Sequence, residues 1–375
     1  MLVFIFLASS IIVVKSVSSA SSTENSWVER STSLRSQDWT DEAAVANGTI
    51  YLMGVFSRTA GYPSHLVDII SNNYAYNPST DKWTAIAPMP TPRVSFAIAS
   101  YNNKIYVIGG LEATSNGVSQ ISCSVNEVYD PSTDTWATAA SVPTGTSGAQ
   151  ANTVNGKIYV IGGSSGNITL KSSTLNMTQI FDPSTDSWSM AASMPYPFAS
   201  AVSAVIDNNI FVIGGGYTDF IQIYDVAKNA WSLGSATNAL VPGEGAGATT
   251  GFNASKRVYA FGGEEGFLVW ANRTNAYDPV SNSWMTEEPM PDALMFPTVA
   301  VVNDVFYVFG VGSNWPGGVV VEQYTPIGYG TPDSTASALP SPTVPELSWL
   351  VVFSLLLCIL PIAVLLRCRK TSWRD

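Results

Sequence analysis

The chain has 375 residues, with 17 Lys+Arg against 28 Asp+Glu and a formal net charge of −11. Such an acidic chain is a poor nucleic-acid binder, because contacts between basic side chains and phosphates dominate that affinity. A hydrophobic content of 46% with 11% aromatic residues excludes a disordered protein, and the single histidine, His65, excludes a metal site built from several histidines.

The chain opens on an apolar stretch at residues 2–14, interrupted only by Ser9 and Ser10 and followed by small residues up to Ala20. This pattern is typical of a secretory signal peptide, which we assign to residues 1–20. The basic residue Lys15 follows the apolar run instead of preceding it, so an uncleaved membrane anchor is the alternative. Both alternatives place residues 21–346 outside the membrane.

An internal repeat organises the chain between its two ends. The segment KIYVIGG at residues 104–110 recurs at 157–163, and related segments stand at 209–215 and 257–263, with weaker copies at 49–55 and 305–311. The first glycines of successive copies are 48 to 55 residues apart. A β-branched strand that ends at a double glycine needs a tight turn or a close approach to another backbone there.

A second motif recurs in step with the first. YDPSTDTW at residues 129–136 is echoed by FDPSTDSW at 181–188, and the same Tyr-to-Trp spacing links residues 76 and 83, 224 and 231, and 277 and 284. Together with Asn-Asn or Asn-Gly turns, each unit predicts four short antiparallel strands. The repeated Trp residues are assigned to the core, and the Asp-Pro turns to Asx turns in preference to calcium sites.

These motifs resemble the kelch repeat, whose hallmarks are the double glycine and the downstream Tyr/Trp pair. The resemblance covers residues 25–326 in six copies and implies an all-β fold, a six-bladed β-propeller with one four-stranded blade per repeat. The sixth copy has no Trp after Tyr324, whereas Asn25-Ser26-Trp27 has the sequence of an orphan fourth strand. We therefore expect this N-terminal strand to close the ring.

The C-terminal region predicts a membrane anchor. Residues 327–346 are rich in Pro, Ser and Thr and are assigned to a stalk, while the apolar residues 347–366 are long enough for a transmembrane helix. Arg367, Arg369 and Lys370 follow this helix directly, which by the positive-inside rule places the tail at 367–375 in the cytoplasm. The net charge is −15 over residues 20–346 and +3 over the tail. The sequence around Pro345-Glu346 also resembles the Pro-Glu-Phe type tails of exported archaeal proteins, with Leu347 in place of the aromatic residue.

The sequence also indicates which covalent modifications the exported segment can carry. Cys123 is the only thiol between residues 21 and 346, so no disulfide is expected within that segment. Asn-X-Ser/Thr sequons, candidate N-glycosylation sites, stand at Asn47, Asn167, Asn176, Asn253 and Asn272.

The candidate binding residues lie in loops that strand alternation assigns to one face of the propeller. Variable loops on a rigid scaffold are where binding residues concentrate. These loops also contain Tyr62, His65 and Asn314, but the residues assigned to ligand binding are Arg93, Glu112, Glu264, Glu265, Trp270 and Trp315. For each of them a structural role is the alternative: a Trp can cap the core, and the two adjacent glutamates can form a solvated pair.

The predicted function is a cell-surface binding or adhesion module for protein or carbohydrate partners, without enzymatic activity, metal or cofactor. The copper oxidases of the kelch family use two His ligands, which this sequence lacks. The alternative is an exported carbohydrate-active isomerase or lyase that uses loop carboxylates, because a sialic-acid isomerase branch also has six kelch blades. The chain is expected to be a single-pass protein of the cell membrane.

Overall fold

The computed structural model describes residues 23–30, 38–39, 42–57, 68–114, 117–167, 171–215, 220–236, 245–266, 269–312 and 319–330. In these ranges the regular secondary structure is all β. In chain order the strands are β1 (Ser26–Arg30), β2 (Asp38–Trp39), β3 (Glu42–Ala46), β4 (Thr49–Ser57), β5 (Asp68–Asn77), β6 (Lys82–Ile86), β7 (Arg93–Val94), β8 (Ala97–Tyr101), β9 (Lys104–Ile108), β10 (Leu111–Thr114), β11 (Gly117–Ser122), β12 (Asn126–Asp130), β13 (Thr135–Thr138), β14 (Gln150–Val154), β15 (Lys157–Ile161), β16 (Ser164–Asn167), β17 (Lys171–Thr174), β18 (Thr178–Asp182), β19 (Ser187–Met190), β20 (Val202–Ile206), β21 (Asn209–Ile213), β22 (Phe220–Asp225), β23 (Ala230–Ala236), β24 (Ala246–Thr249), β25 (Val258–Phe261), β26 (Glu264–Gly266), β27 (Val269–Trp270), β28 (Thr274–Asp278), β29 (Ser283–Thr286), β30 (Leu294–Val302), β31 (Val305–Gly312) and β32 (Val319–Thr325).

Six of the described sheets repeat one antiparallel four-strand order, which we number as blades. Blade 1 is β3-β4-β5-β6, with β2 on the far end of β4; blades 2 to 5 are β8-β9-β12-β13, β14-β15-β18-β19, β20-β21-β22-β23 and β24-β25-β28-β29; blade 6 is β30-β31-β32-β1. The first strands β3, β8, β14, β20, β24 and β30 each contact the next, and β30 contacts β3. The predicted β-propeller is therefore confirmed.

The apolar core lies between blades. One cluster joins Tyr51 and Met53 of blade 1 to Ile105 and Val107 of blade 2, with the partly buried Trp136 packed against it. Similar clusters form at each successive pair of neighbours, including blades 6 and 1. Because a four-stranded blade is too small to cover its own faces, stacking supplies the burial. The repeated Trp residues lie at these junctions, as predicted.

The two kinds of turn follow the predicted chemistry. Asn102 and Asn103 both have positive φ, 49° and 58°, as a two-residue hairpin turn requires. In the Asp-Pro turns, Asp130 Oδ1 accepts the Ser132 N–H at 2.9 Å, which is an Asx turn. At the double glycine, a Cβ on Gly109 would stand 2.3 Å from the Thr146 carbonyl oxygen, so the predicted close backbone approach is also present.

A hydrogen-bonded latch joins each of several blades to the one before it. Asp186 Oδ1 accepts the Ala140 N–H at 2.8 Å, and the Trp188 Nε1–H donates to the Ala140 carbonyl at 2.8 Å. The Trp bond recurs as Trp136 to Ala87 and Trp231 to Ala192. The Tyr/Trp motif therefore fixes the spacing of neighbouring blades as well as filling their junction.

The N-terminal strand supplies this latch for blade 6. Strand β1 pairs with β32, with Ser26 opposite Thr325. The Trp27 Nε1–H donates to the Glu288 carbonyl at 2.8 Å, and Asn25 Oδ1 accepts the Glu288 N–H at 2.9 Å and the Tyr324 hydroxyl at 2.7 Å. The orphan strand predicted from Asn25-Ser26-Trp27 is therefore the fourth strand of blade 6.

Replacement of Trp27 by alanine is expected to lower the free energy of unfolding by about 2 kcal/mol. This is less than the roughly 3–5 kcal/mol for a fully buried ring, because part of the indole is exposed. Urea unfolding of the full chain in detergent micelles measures it. Val28→Ala on the same strand is the control, since Val28 is 48% exposed. Equal losses in the two variants would argue against a latch.

The remaining predicted segments lie largely outside the described residues. This holds for residues 1–20, 331–346, 347–366 and 367–375, so the signal peptide, most of the stalk, the transmembrane helix and the basic tail stay predictions. Among the residues that the structure describes, no helix has the length and apolarity to cross a bilayer. The first stalk residues form a turn in which the Gly330 N–H donates to the Asn253 carbonyl at 2.7 Å.

Candidate functional site

Loops that connect the second to the third strand, and the fourth strand to the next blade, share one side of the propeller, here called the loop face. The opposite side of the propeller, here called the turn face, carries the short Asn and Asp-Pro turns. On the loop face β7, β10, β11, β16 and β17 form a further sheet, in which Ile121 of blade 2 pairs with Asn167 of blade 3. Strands β26 and β27 form a separate hairpin at blade 5. The described parts of the loops of blades 2, 3 and 5 are therefore held by backbone hydrogen bonds.

Arg93 lies beneath this surface and is fully buried. Its Nη1 donates to Glu127 Oε2 at 3.0 Å and its Nη2 to the Val107 carbonyl at 2.9 Å, while the Thr91 hydroxyl donates to Glu127 Oε1 at 2.7 Å. Burial lowers the pKa of the guanidinium, and the Glu127 carboxylate opposes that shift. Arg93, predicted to bind ligand, is thus enclosed, and in this structure it holds the loop that enters blade 2.

In other blades, the residue at the position of Glu127 also forms hydrogen bonds to the loop that enters its blade. In blade 3, Gln179 Oε1 accepts the Thr144 N–H at 2.9 Å and its Nε2 donates to the Thr144 carbonyl at 3.1 Å. Gln222 makes the same two bonds to Tyr196 in blade 4, at 2.9 and 3.0 Å. A side chain on the third strand therefore clamps the incoming loop of its own blade.

Blade 6 keeps this clamp with a carboxyl group, Glu322, which forms no ion pair with any Lys or Arg that the structure describes. Glu322 Oε1 accepts the Asp292 N–H at 3.1 Å, but Oε2 is buried without a hydrogen-bond partner. Leu294 stands where blade 2 has Arg93. Burial, together with the nearby carboxylates of Asp292 and Glu29, raises the pKa of Glu322 to about 7.

A cavity of about 430 Å³ opens beside the blade 2 loops. Glu112, Ser122, Cys123 and Pro143 are among its lining residues. Burial raises the pKa of the Cys123 thiol, and the nearby Glu112 carboxylate raises it further. Cys123 is free of any disulfide, as predicted. The cavity combines a carboxylate, hydroxyl groups and exposed apolar surface, which suits a ligand with hydrogen-bond donors.

A second group of predicted residues meets at blade 5. Glu264 and Trp270 are directly opposite on β26 and β27, so their side chains share one face of the hairpin. The Trp270 ring lies against Phe296, with centroids 4.8 Å apart and an interplanar angle of 57°. The neighbouring Val269 is 56% exposed. This hairpin therefore presents an aromatic pair and a carboxylate together.

The structure thus sorts the predicted ligand residues into two groups, Arg93 with Glu112 at blade 2 and Glu264 with Trp270 at blade 5. Two blades, 3 and 4, lie between these groups along the chain. The side chain of Glu265 and all of Trp315, Tyr62, His65 and Asn314 lie outside the described residues. Among the described residues, no group of three His, Cys, Asp or Glu side chains is placed to hold a metal ion.

The sequons fall in different settings. Asn47 is exposed in a hairpin turn, whereas the Nδ2 groups of Asn176, Asn253 and Asn272 donate to the carbonyls of Met194, Asn303 and Met290 at 3.2, 3.1 and 2.9 Å. The side chain of Asn167 lies outside the described residues. All five stay predictions.

Sequence reasoning missed Phe296 and Glu127. Alignment of the repeats marks Phe296 as unusual. Fourteen residues before the first glycine of the repeated motif, three other copies have a small residue, Ser95, Gly148 or Ser200. The signal for Glu127 was the polar residue two before the motif Tyr, which Gln222 shares.

Comparisons with known proteins identify related sequences with the same repeat. A family model described as the KLHDC2/KLHL20/DRC7 Kelch-repeats domain matches residues 42–222 and 119–312. Kelch-like protein 25 of Xenopus tropicalis is 30% identical over 243 residues, which are 61% of this chain and 38% of that protein. Beta-scruin of Limulus polyphemus is 26% identical over 201 residues, 51% of this chain and 20% of its own length. The chain thus spans well under two thirds of these curated relatives.

The solved structure of YjhT superposes with a TM-score of 0.62 at 18% identity, covering 79% of this chain and 95% of that one. At this identity the similarity shows the fold alone. Together, the two family-model matches extend from residue 42 in the first strand of blade 1 to residue 312 at the end of the second strand of blade 6. The chain belongs to the kelch-repeat family.

Proposed function

We propose that this protein is a cell-surface binding or adhesion module that takes a protein or glycan partner on its loop face. Kelch repeats generally mediate protein–protein interactions, and the relatives that match here are kelch-like proteins. In this proposal residues 1–20 direct export, 327–346 form a stalk, 347–366 cross the membrane once and 367–375 lie in the cytoplasm. Processing at the Pro-Glu motif would release the propeller.

The difference between the two faces carries the proposal. Ser26 begins β1 and Thr325 ends β32, and these two residues are paired at the turn face. The chain therefore enters and leaves the propeller on the turn face. In the described part of the chain, the loop face carries the β7-β10-β11-β16-β17 sheet and the cavity beside Glu112. Such variable loops on a rigid scaffold are where binding residues concentrate.

The binding test uses the full chain in phosphatidylcholine nanodiscs, which avoids detergents with sugar headgroups. Nanodiscs are applied to a printed array of glycans and purified cell-surface proteins. Glu112→Gln on the loop face is expected to weaken capture at least tenfold, whereas Val280→Ser on the turn face, where Val280 is 93% exposed, leaves it unchanged. Capture that depends only on the turn face, or turnover of a bound sugar detected by NMR, would overturn the proposal.

Membrane topology is tested separately. The full chain is expressed with an epitope after Asp375, and intact cells are treated with an impermeant protease. The propeller is expected to be cleaved or shed while the epitope stays protected until the cells are permeabilised. An epitope that is accessible in intact cells would reject the orientation. Mass spectrometry of the mature ends shows whether residues 1–20 and the anchor are retained.

A further inference from the structure

We infer that the hairpin at blade 5 is a carbohydrate subsite, in which Trp270 and Phe296 stack on the C–H face of a neutral sugar and Glu264 accepts its hydroxyl hydrogens. This inference rests on the proposed function, since it names the ligand class for one part of the loop face.

The first observation is the backbone of Phe296. Its φ is +48°, in the left-handed region that a bulky residue rarely adopts. It also precedes Pro297, and a residue before proline is driven toward extended conformations. The corresponding residues in blades 2, 3 and 4 are Ser95, Gly148 and Ser200, at φ of 54°, 64° and 54°. Blade 6 therefore keeps the same turn with a residue poorly suited to it.

The strained backbone of Phe296 lies in a β-bulge, and its ring is placed outside the core. The register of β30 and β31 shifts between Met295 and Thr298, so Phe296 lies in a β-bulge, a device that re-aims side chains. Phe296 is only half-buried and belongs to none of the inter-blade core clusters. Its ring lies against Trp270. Backbone strain held at a surface side chain is a mark of functional sites.

The second observation is that the backbone beside Trp270 is anchored to the double glycine of blade 5. The Ala271 N–H, next in the chain, donates to the Gly263 carbonyl at 2.9 Å, and Ala271 itself is buried. Directly across the hairpin is Glu264. The two Cβ atoms of such a pair are about 5 Å apart. Aromatic faces and a carboxylate are therefore presented within the span of one sugar ring.

The chemistry of this pairing favours a sugar over a peptide. A pyranose has an apolar C–H face that matches an aromatic ring and equatorial hydroxyls that donate to a carboxylate with charge-assisted strength. A negatively charged sugar would be repelled by Glu264 and by the acidic propeller, so the ligand is neutral. A peptide bound through the same rings is the competing outcome of the test.

The test is saturation-transfer NMR on the full chain in phosphatidylcholine nanodiscs, with methyl β-glucoside, methyl β-galactoside and cellotetraose as probes and empty nanodiscs as blank. At least one probe is expected to receive saturation at its C–H protons. Trp270→Ala, Phe296→Gly and Glu264→Gln are each expected to weaken that binding at least fivefold. Tyr196→Ala, an exposed aromatic in the loop before blade 4, is the matched control and leaves it unchanged.

Phe296→Gly separates binding from structure. Because glycine adopts positive φ freely, this variant is expected to raise the unfolding temperature by about 2–4 °C while it loses the sugar. Retained binding in Phe296→Gly, or no binding of any probe by the unaltered chain, would overturn the subsite. If array partners were still captured through the loop face in that case, only the sugar inference would fail; loss of both would reject the proposed function as well.

Discussion

Arg93→Leu is expected to lower the free energy of unfolding by about 3–5 kcal/mol, the largest loss of any single change considered for this protein. The substitution removes the cation while the Glu127 carboxylate stays buried at the same place. The remaining charge has no compensation in a low-dielectric interior, and the loop that enters blade 2 loses its clamp. Urea unfolding of the full chain in detergent micelles, followed by Trp fluorescence, measures the loss.

The blade repeats provide the control. Blade 4 has Phe198 and Gln222 at the positions of Arg93 and Glu127, so the double variant R93F/E127Q rebuilds an arrangement that the fold already uses. Its stability is expected to return to within about 1.5 kcal/mol of the unaltered chain. A double variant as unstable as Arg93→Leu would contradict a purely structural role for the ion pair.

Glu322→Gln is expected to stabilise the protein by about 3 kcal/mol at pH 8 and to have little effect at pH 4.5. Burial raises the pKa of this carboxyl to about 7 in the folded state from an ordinary value of 4.5. The folded state therefore binds the proton more tightly, and stability falls as the pH rises through this interval. Glutamine removes that dependence and can donate to the Asp292 carbonyl, as Gln179 does to Thr144.

Unfolding midpoints between pH 4.5 and 8 measure the effect. The control is Glu29→Gln, because Glu29 is directly opposite Glu322 across β1 and β32 but is exposed and makes the smallest of the contributions to the raised pKa of Glu322. It is expected to change stability by no more than about 0.5 kcal/mol. Parallel pH profiles for Glu322→Gln and the unaltered chain would show that another group is responsible.

The repeat predicted the propeller because period, turn residues and core positions agree six times over. It also predicted the role of Trp27, since the missing fourth strand of the last copy matched an unassigned segment at the start. The site was predictable only in part. Arg93 occurs in one copy, so its sequence gave no sign of burial, and the pairing of Ile121 with Asn167 joins loops that have no repeated pattern.

The latch at Asn25 and Tyr324 joins residues 299 positions apart. Strand β1 is synthesised first but has no partner strand until β32, at the far end of the propeller, has been made, so its edge stays unpaired until then. Loop closure over such a distance is entropically costly and slow, and an open strand edge invites pairing with other chains. In a chain that crosses a membrane during synthesis, ring closure would be the last folding step on the far side. Changes in Asn25-Ser26-Trp27 should then lower the yield of folded protein more than its activity once folded.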